Sequence, residues 1–192
     1  MIRRVALAFL LMLPAAGLVV LFAWKLVDKD IASSGFAVNN ISVEIYGDDV
    51  TGRPFTLTLL DGQQVELSDY EGRILMVDFW SSWCPPCIRE AAVLQSVYEE
   101  YSGRGVEFLG IAIWDDAEAV REHLKEYGVT YPNALDVDGM VTVDYGIAGI
   151  PEKVFIGPSG DALRKFVGPF DAEGLRQILD GFLSQYSEEI KN

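Results

Sequence analysis

Cys84 and Cys87 are the only cysteines in this chain of 192 residues, and they stand two residues apart. That spacing permits an intramolecular disulfide, whereas a structural disulfide framework needs more cysteines at wider spacing. A close pair of this kind indicates redox chemistry, in which one thiolate attacks a substrate disulfide and the other thiol resolves the mixed disulfide.

The residues around the pair suggest which cysteine does which job. Cys84 follows an apolar run, and Pro85 and Pro86 after it suit the first turn of a helix. Free N–H groups and the dipole at a helix start stabilise a thiolate, so we predict that Cys84 attacks and Cys87 resolves. Neither proline has an N–H, which leaves the Cys84 thiolate less stabilised and favours a reducing or intermediate potential.

Other uses of the pair remain open. Two cysteines are half of a zinc site and are soft ligands for copper, so the alternative function is a copper-handling binding protein. His123 is the only histidine; we predict that it lies on a helix surface and assign it no chemistry. A third hypothesis is a peroxidase, which needs a serine or threonine three residues before the reactive cysteine and an arginine that activates the thiol. Ser81 meets the first requirement for Cys84, but no arginine is placed to meet the second. We expect no cofactor and no resident metal.

The elements that position the pair follow from hydrophobic patterning. The apolar run 74–80 is interrupted only by Asp78 and predicts a central strand buried on both faces. Burial would raise the pKa of the Asp78 carboxyl. A helix is predicted over 85–101. The other predicted elements are a hairpin of 55–60 and 64–67, strands at 106–114, 131–135, 153–156 and 162–167, and helices at 116–127, 141–145 and 171–186.

The N-terminus predicts a membrane anchor. Arg3 and Arg4 precede an uncharged run from Val5 to Trp24, and about 20 helical residues span the roughly 30 Å hydrocarbon core of a bilayer. The apolar run continues past Ala15, so an uncleaved anchor is favoured over a cleaved signal peptide. The positive-inside rule then leaves the N-terminus in the cytoplasm and the folded domain outside it.

Several segments resemble the TlpA/ResA/CcmG branch of thioredoxin-fold proteins. The active-site segment is matched by Val77-Asp78-Phe79-Trp80-Ser81-Ser82-Trp83-Cys84-Pro85-Pro86-Cys87, and the cis-proline segment by Gly146-Ile147-Ala148-Gly149-Ile150-Pro151. The entry strand pattern is similar from Phe55 to Arg73, and so is Tyr127-Gly128-Val129-Thr130-Tyr131-Pro132.

The resemblance implies a role for each neighbour of the pair. Pro151 is expected to carry a cis peptide bond after Ile150, in a loop whose backbone pairs with the substrate chain. Asp78 is expected behind Cys87, where it takes that thiol's proton. Glu152 is expected to approach the pair and raise the thiol pKa values; the alternatives are contact with substrate or simple solvation. Trp83, together with Pro85, Pro86 and Ile150, is expected to contact substrate.

The resemblance also implies the biology. Members of this branch are membrane-tethered reductases of exported disulfides, such as those of apocytochrome c or copper-centre assembly factors, recharged by a CcdA- or DsbD-type membrane electron donor. The net charge of −14 argues against nucleic acid as a partner, and we expect a monomer.

These observations predict one α/β domain of the thioredoxin fold, a central mixed β-sheet flanked by helices, with an N-terminal β-hairpin extension and an inserted αβ element. The predicted boundaries are a cytoplasmic N-terminus at 1–4, one transmembrane helix at 5–27, a tether at 28–51 and the thioredoxin-like domain at 52–188.

The predicted topology is testable with a reporter enzyme that folds only outside the cytoplasm. Alkaline phosphatase fused after residue 192 should be active in cells, because the single span carries the C-terminus across the membrane. An inactive fusion in a well-expressed strain would contradict the N-inside orientation.

Overall fold

The computed structural model describes residues 37–45 and 52–189. The predicted anchor at 5–27 and most of the predicted tether lie outside this range. Within it, no helix combines the length and the apolar character that a membrane span requires.

Ten strands and four helices occur within the described ranges. In chain order they are β1 Ala37–Val38, β2 Val43–Ile45, β3 Thr56–Thr58, β4 Gln64–Glu66, β5 Ile74–Trp80, α1 Pro85–Tyr101, β6 Val106–Ala112, α2 Ala117–Tyr127, β7 Asn133–Leu135, α3 Met140–Asp144, β8 Gly149–Ile150, β9 Glu152–Ile156, β10 Ala162–Val167 and α4 Ala172–Glu189. A 3-10 turn, Leu67–Tyr70, follows β4. The predicted strand at 74–80 and helix at 85–101 are confirmed with the same bounds.

The main sheet is mixed, with the strand order β2-β10-β9-β5-β6-β7. Strands β5, β6 and β7 are parallel, whereas β9 is antiparallel to β5 and β10 is antiparallel to β9. Every residue of β5 is buried, because β5 lies inside the sheet with side chains covering both faces. This is the arrangement that the sequence resemblance implies.

Two apolar clusters fill the two faces. Alternation along β5 sends Leu75, Val77 and Phe79 into one cluster, which also contains both cysteines. Met76 belongs to the other cluster, with apolar residues of α1 and α4. Asp78 follows Met76 by two residues and therefore points toward the face that α1 covers.

The predicted hairpin is confirmed as β3 and β4, joined by a turn in which Gly62 has a φ of +91°. Only glycine adopts this left-handed conformation without strain. Leu59 forms a bridge with Ala134, so the hairpin extends from the edge of the sheet at β7. Strand β7 and helix α2 together form the inserted αβ element.

The described part of the predicted tether contains two strands. Strand β2 pairs antiparallel with β10, where Val43 opposes Val167, and β1 pairs in parallel with β8. The polar composition of this segment indicates a loop, but each short strand is held by partners more than 100 residues further along the chain. A local pattern has no means of revealing such pairing.

The close approach of β6 and β7 behind the active site generates a stability prediction. A methyl group at Gly110 would overlap the Asn133 side chain and meet Trp80 Nε1 at 3.0 Å, where Trp80 donates a hydrogen bond to Asn133 Oδ1 at 3.0 Å. We expect Gly110→Ala to destabilise the chain by about 1–3 kcal/mol in urea unfolding.

The matched control is Gly181→Ala in α4. A methyl there meets nothing within 4 Å, and alanine is the better helix former by about 1 kcal/mol. Equal unfolding midpoints for the two variants would contradict the packing that we assign to Gly110.

Candidate active site

Cys84 and Cys87 form a disulfide at the junction of β5 and α1, with their Cα atoms 5.3 Å apart. Cys84 is the N-cap residue of α1, and its Sγ accepts a hydrogen bond from the Cys87 N–H at 3.3 Å. The exposed fractions are 0% for Cys84 and 3% for Cys87. Because β5 ends and α1 begins here, the pair occupies the position that the sequence predicts.

Pro85 and Pro86 occupy the first turn of α1, as their sequence position indicates. Pro85 is exposed beside the disulfide, whereas Pro86 is buried. The first N–H of the helix is therefore that of Cys87, which already donates to Cys84 Sγ. Fewer helix-start donors surround Cys84 than a helix without prolines would supply.

The loop before Cys84 is tied to the loop that follows β6. Ser81 Oγ donates to Ile113 O, and the N–H and hydroxyl of Ser82 donate to the Asp115 carboxylate at 2.6 and 3.0 Å. Nothing in the sequence predicts that Asp115 belongs to the site, because a single aspartate in a loop forms no recognisable motif.

Trp83 lies on the surface beside the pair and is 45% exposed, while its contact with substrate stays a prediction. Its Nε1 donates to Trp114 O at 3.0 Å, and Trp114 has a φ of +52°, unusual for a residue with a side chain. The two indoles border a groove of about 540 Å³ whose wall also includes Asp116 and Asp138. A groove with apolar and acidic walls is therefore bordered by Trp83, the residue that precedes Cys84.

The peptide bond between Ile150 and Pro151 is cis, as predicted. Both residues are buried, and Ile150 belongs to the apolar cluster that contains Cys84 and Cys87. The cis-proline segment and the disulfide therefore pack in one cluster.

Glu152 is 2% exposed, which makes the solvated alternative wrong. One of its oxygens lies 2.7 Å from Lys165 Nζ, and the other accepts the N–H groups of Ala148 and Gly149 at 3.3 and 2.9 Å. Lys165 also donates to Gly146 O at 2.7 Å. Glu152 thus holds the segment that precedes the cis proline, while its predicted influence on the thiols stays a prediction.

A buried ion cluster lies on the face of the sheet that α1 covers. Lys153 Nζ contacts Glu90 Oε1. It also lies 3.4 Å from Asp78 Oδ1, where the two groups form an ion pair but not a hydrogen bond. Glu90 Oε2 accepts the Phe170 N–H at 2.9 Å. Asp78 is buried as predicted, but the sequence did not reveal Glu90 and Lys153 as its partners.

Burial dominates the titration of this cluster. It raises the pKa of Asp78 above its ordinary value, although the ammonium of Lys153 acts in the opposite direction. Burial raises the pKa of Glu90 to about 7, again against the effect of Lys153. Two carboxyl groups with elevated pKa values therefore share one ammonium beside the cysteine-bearing helix.

A cavity of about 10 Å³ is bordered by Asp78, Cys87 and His123. The Asp78 carboxyl and the predicted resolving thiol thus face the same space. The predicted surface position of His123 is wrong, because the side chain is buried. Its ring centroid lies 4.7 Å from that of Trp80 and 4.6 Å from that of Tyr127. Burial lowers the pKa of His123.

Comparison with known proteins agrees with this geometry. The family model described as AhpC/TSA matches residues 49–163. The thiol–disulfide oxidoreductase ResA of Bacillus thuringiensis subsp. konkukian is 30% identical over 125 residues, which is 65% of this chain and 72% of that relative.

Solved structures extend the likeness to the fold. A thiol:disulfide interchange protein from Chlorobium tepidum superposes with a TM-score of 0.65 at 26% identity, over 72% of this chain and 99% of its own. StoA of Bacillus subtilis superposes with a TM-score of 0.59 at 26% identity, over 66% of this chain and 96% of its own.

The elevated pKa of Glu90 generates a prediction about stability and pH. Between the ordinary value of 4.5 and about 7, the folded chain binds more protons than the unfolded chain. The contribution of Glu90 to the free energy of unfolding is therefore fully present below pH 4.5 and is lost as the pH rises through about 7. We expect the urea midpoint of the oxidised chain to fall across this range, and to fall less in Glu90→Gln.

The control is Glu122→Gln on the exposed face of α2, which should follow the parent chain. The same pH dependence in the parent, Glu90→Gln and Glu122→Gln would contradict the titration that we assign to Glu90.

Proposed function

Because this chain belongs to the AhpC/TSA family and is a thiol–disulfide oxidoreductase of the thioredoxin fold, we propose that it reduces disulfides in exported proteins. The observation that carries the proposal is the Cys84–Cys87 disulfide at the start of α1, packed in one cluster with the cis-proline segment. The similarity to ResA and to the thiol:disulfide interchange protein of Chlorobium tepidum supports the same class of chemistry.

The reaction transfers two electrons from the pair to the client. The Cys84 thiolate attacks one sulfur of the client disulfide, the client's S–S bond breaks, and its other sulfur leaves as a thiolate that takes up a proton. The Cys87 thiol then loses its proton and attacks Cys84 Sγ, which releases the second client thiol. The enzyme ends with the Cys84–Cys87 disulfide, and a membrane electron donor of the CcdA or DsbD type restores the dithiol.

Asp78 is the group that we propose to accept the Cys87 proton. Its carboxyl borders the same small cavity as Cys87, and burial raises its pKa above the ordinary value, which makes the carboxylate a better proton acceptor. Lys153 holds the Asp78 carboxyl by the ion pair at 3.4 Å, and is thus a positioning residue.

Two features favour reduction over oxidation. The prolines leave few N–H donors for a Cys84 thiolate, and Asp78 and Glu90 together carry more negative charge than Lys153 neutralises when both are ionised. Both effects disfavour the thiolate, and a destabilised reduced form gives up electrons more readily.

The groove beside Trp83 supports a protein as the client, since it offers two partly exposed indoles next to the disulfide. We propose apocytochrome c or a copper-centre assembly factor as the client class. The domain would then work as a monomer on the outer face of the cytoplasmic membrane, held there by the predicted single-pass anchor.

The reduction potential tests the direction of electron flow. Equilibration of the full chain with dithiothreitol couples should give a potential far more negative than about −120 mV, the value of strong oxidants. The chain should also accelerate insulin reduction. A potential near −120 mV would contradict the proposed direction.

Two serine variants test the separate roles of the cysteines. Cys87→Ser should accumulate a mixed disulfide with insulin, because Cys84 attacks and nothing resolves it, whereas Cys84→Ser should not. The reverse pattern would overturn the assignment of Cys84 as the attacking residue.

A further inference from the structure

The edge of the cis-proline segment is occupied by the chain itself. Residues 37–39, here called the strap, run parallel to β8, with Val38 opposite Ile150. The Asn39 N–H donates to Ile150 O at 2.6 Å, and Asn39 Nδ2 donates to Pro151 O at 3.3 Å. The backbone acceptors on both sides of the cis peptide bond are therefore engaged by the strap.

The strap also reaches the apolar surroundings of the disulfide. The Val38 side chain packs against the cluster that contains Cys84, Cys87 and Ile150. Cys84 has no exposed surface in this arrangement. A client disulfide needs direct access to the Cys84 sulfur, so Cys84 must become accessible before a client reacts with it.

The strap is weakly held compared with the rest of the sheet. Its strand β1 has two residues, and β8, its partner, also has two. Each of its hydrogen bonds contributes little net stability, whereas the seven residues of β5 are buried and paired on both sides. Short peripheral pairings of this kind open locally at low free energy, without unfolding of the domain.

We propose that the strap is an internal occupant of the client-binding edge, and that it must detach before Cys84 reacts. The client that replaces it is an extended polypeptide that donates a backbone N–H to Ile150 O and places an apolar side chain where Val38 lies. This inference rests on the proposed reductase function and adds competition between the chain's own N-terminal segment and its client.

Competition has a quantitative consequence. A client binds only the fraction of molecules whose strap is detached, so its apparent affinity is lowered by that fraction. Weakening the strap should therefore lower KM for a protein disulfide and leave kcat unchanged. It should also expose the reduced Cys84 thiol to small reagents that need no binding edge.

The experiment compares Val38→Ser with Ile41→Ser in the full chain purified in mild detergent. Val38 packs on the cluster, whereas Ile41, three residues later, is 77% exposed. After reduction, iodoacetamide should alkylate Cys84 about fivefold faster in Val38→Ser, the effect of losing about one weak contact. KM for insulin should fall by a similar factor, and Ile41→Ser should match the parent.

A second variant and a measurement on the strap itself complete the test. Asn39→Pro removes both donors of Asn39 and should act like Val38→Ser. Hydrogen exchange of the strap amides should be slow in the parent and fast once a cysteine peptide is disulfide-linked to Cys84 of Cys87→Ser, with β5 still protected.

The outcomes separate the two proposals. Three results would overturn the proposal that the strap must detach. They are a parent-like alkylation rate in Val38→Ser and Asn39→Pro, an equal acceleration in Ile41→Ser, and strap amides that stay protected in the peptide conjugate. Faster alkylation in the two strap variants of a chain that fails to reduce insulin overturns the reductase function and leaves the strap supported.

Discussion

A single ammonium group joins the three elements on which the active site depends. Lys153 comes from β9, immediately after the cis proline and Glu152, and its Nζ lies between Asp78 of β5 and Glu90 of α1. Strand β5 leads into the disulfide and α1 begins with it, so this one contact relates the cysteines to the cis-proline segment. Removal of the ammonium would leave two buried carboxyl groups without a positive partner, and breaking a buried ion pair in this way is strongly destabilising.

A second ion pair holds the opposite face of the same strand. Successive residues of a strand point to opposite faces, so Glu152 meets Lys165 while Lys153 meets Asp78 and Glu90. Glu152 also accepts the N–H groups of Ala148 and Gly149. The chain on both sides of Pro151 is thus held by buried ion pairs and hydrogen bonds, and not by apolar packing alone.

The same charges connect structure with redox chemistry. Asp78 and Glu90 both contact Lys153 and thereby hold the site together. Burial raises the pKa values of these two carboxyl groups, so the same residues take part in proton exchange near the cysteines. A thiolate formed at Cys84 or Cys87 adds negative charge beside these carboxyls. Negative charge near the pair disfavours a thiolate, and this is the electrostatic basis of the reductase function that we propose.

The sequence by itself determined the cysteine pair, the strand and helix that present it and the buried Asp78, because these depend on local spacing and on apolar runs. The cis proline was predicted from the resemblance of its segment to a known family. The sequence left out Glu90, Lys153 and Lys165, placed His123 on the surface, and gave no sign of the strands in residues 37–45. Those features arise from contacts between segments far apart in the chain. Only the tertiary structure decided which charge meets which, and which segment lies along the cis-proline edge, because a buried charge or a two-residue strand is stable only where its partner is brought to it.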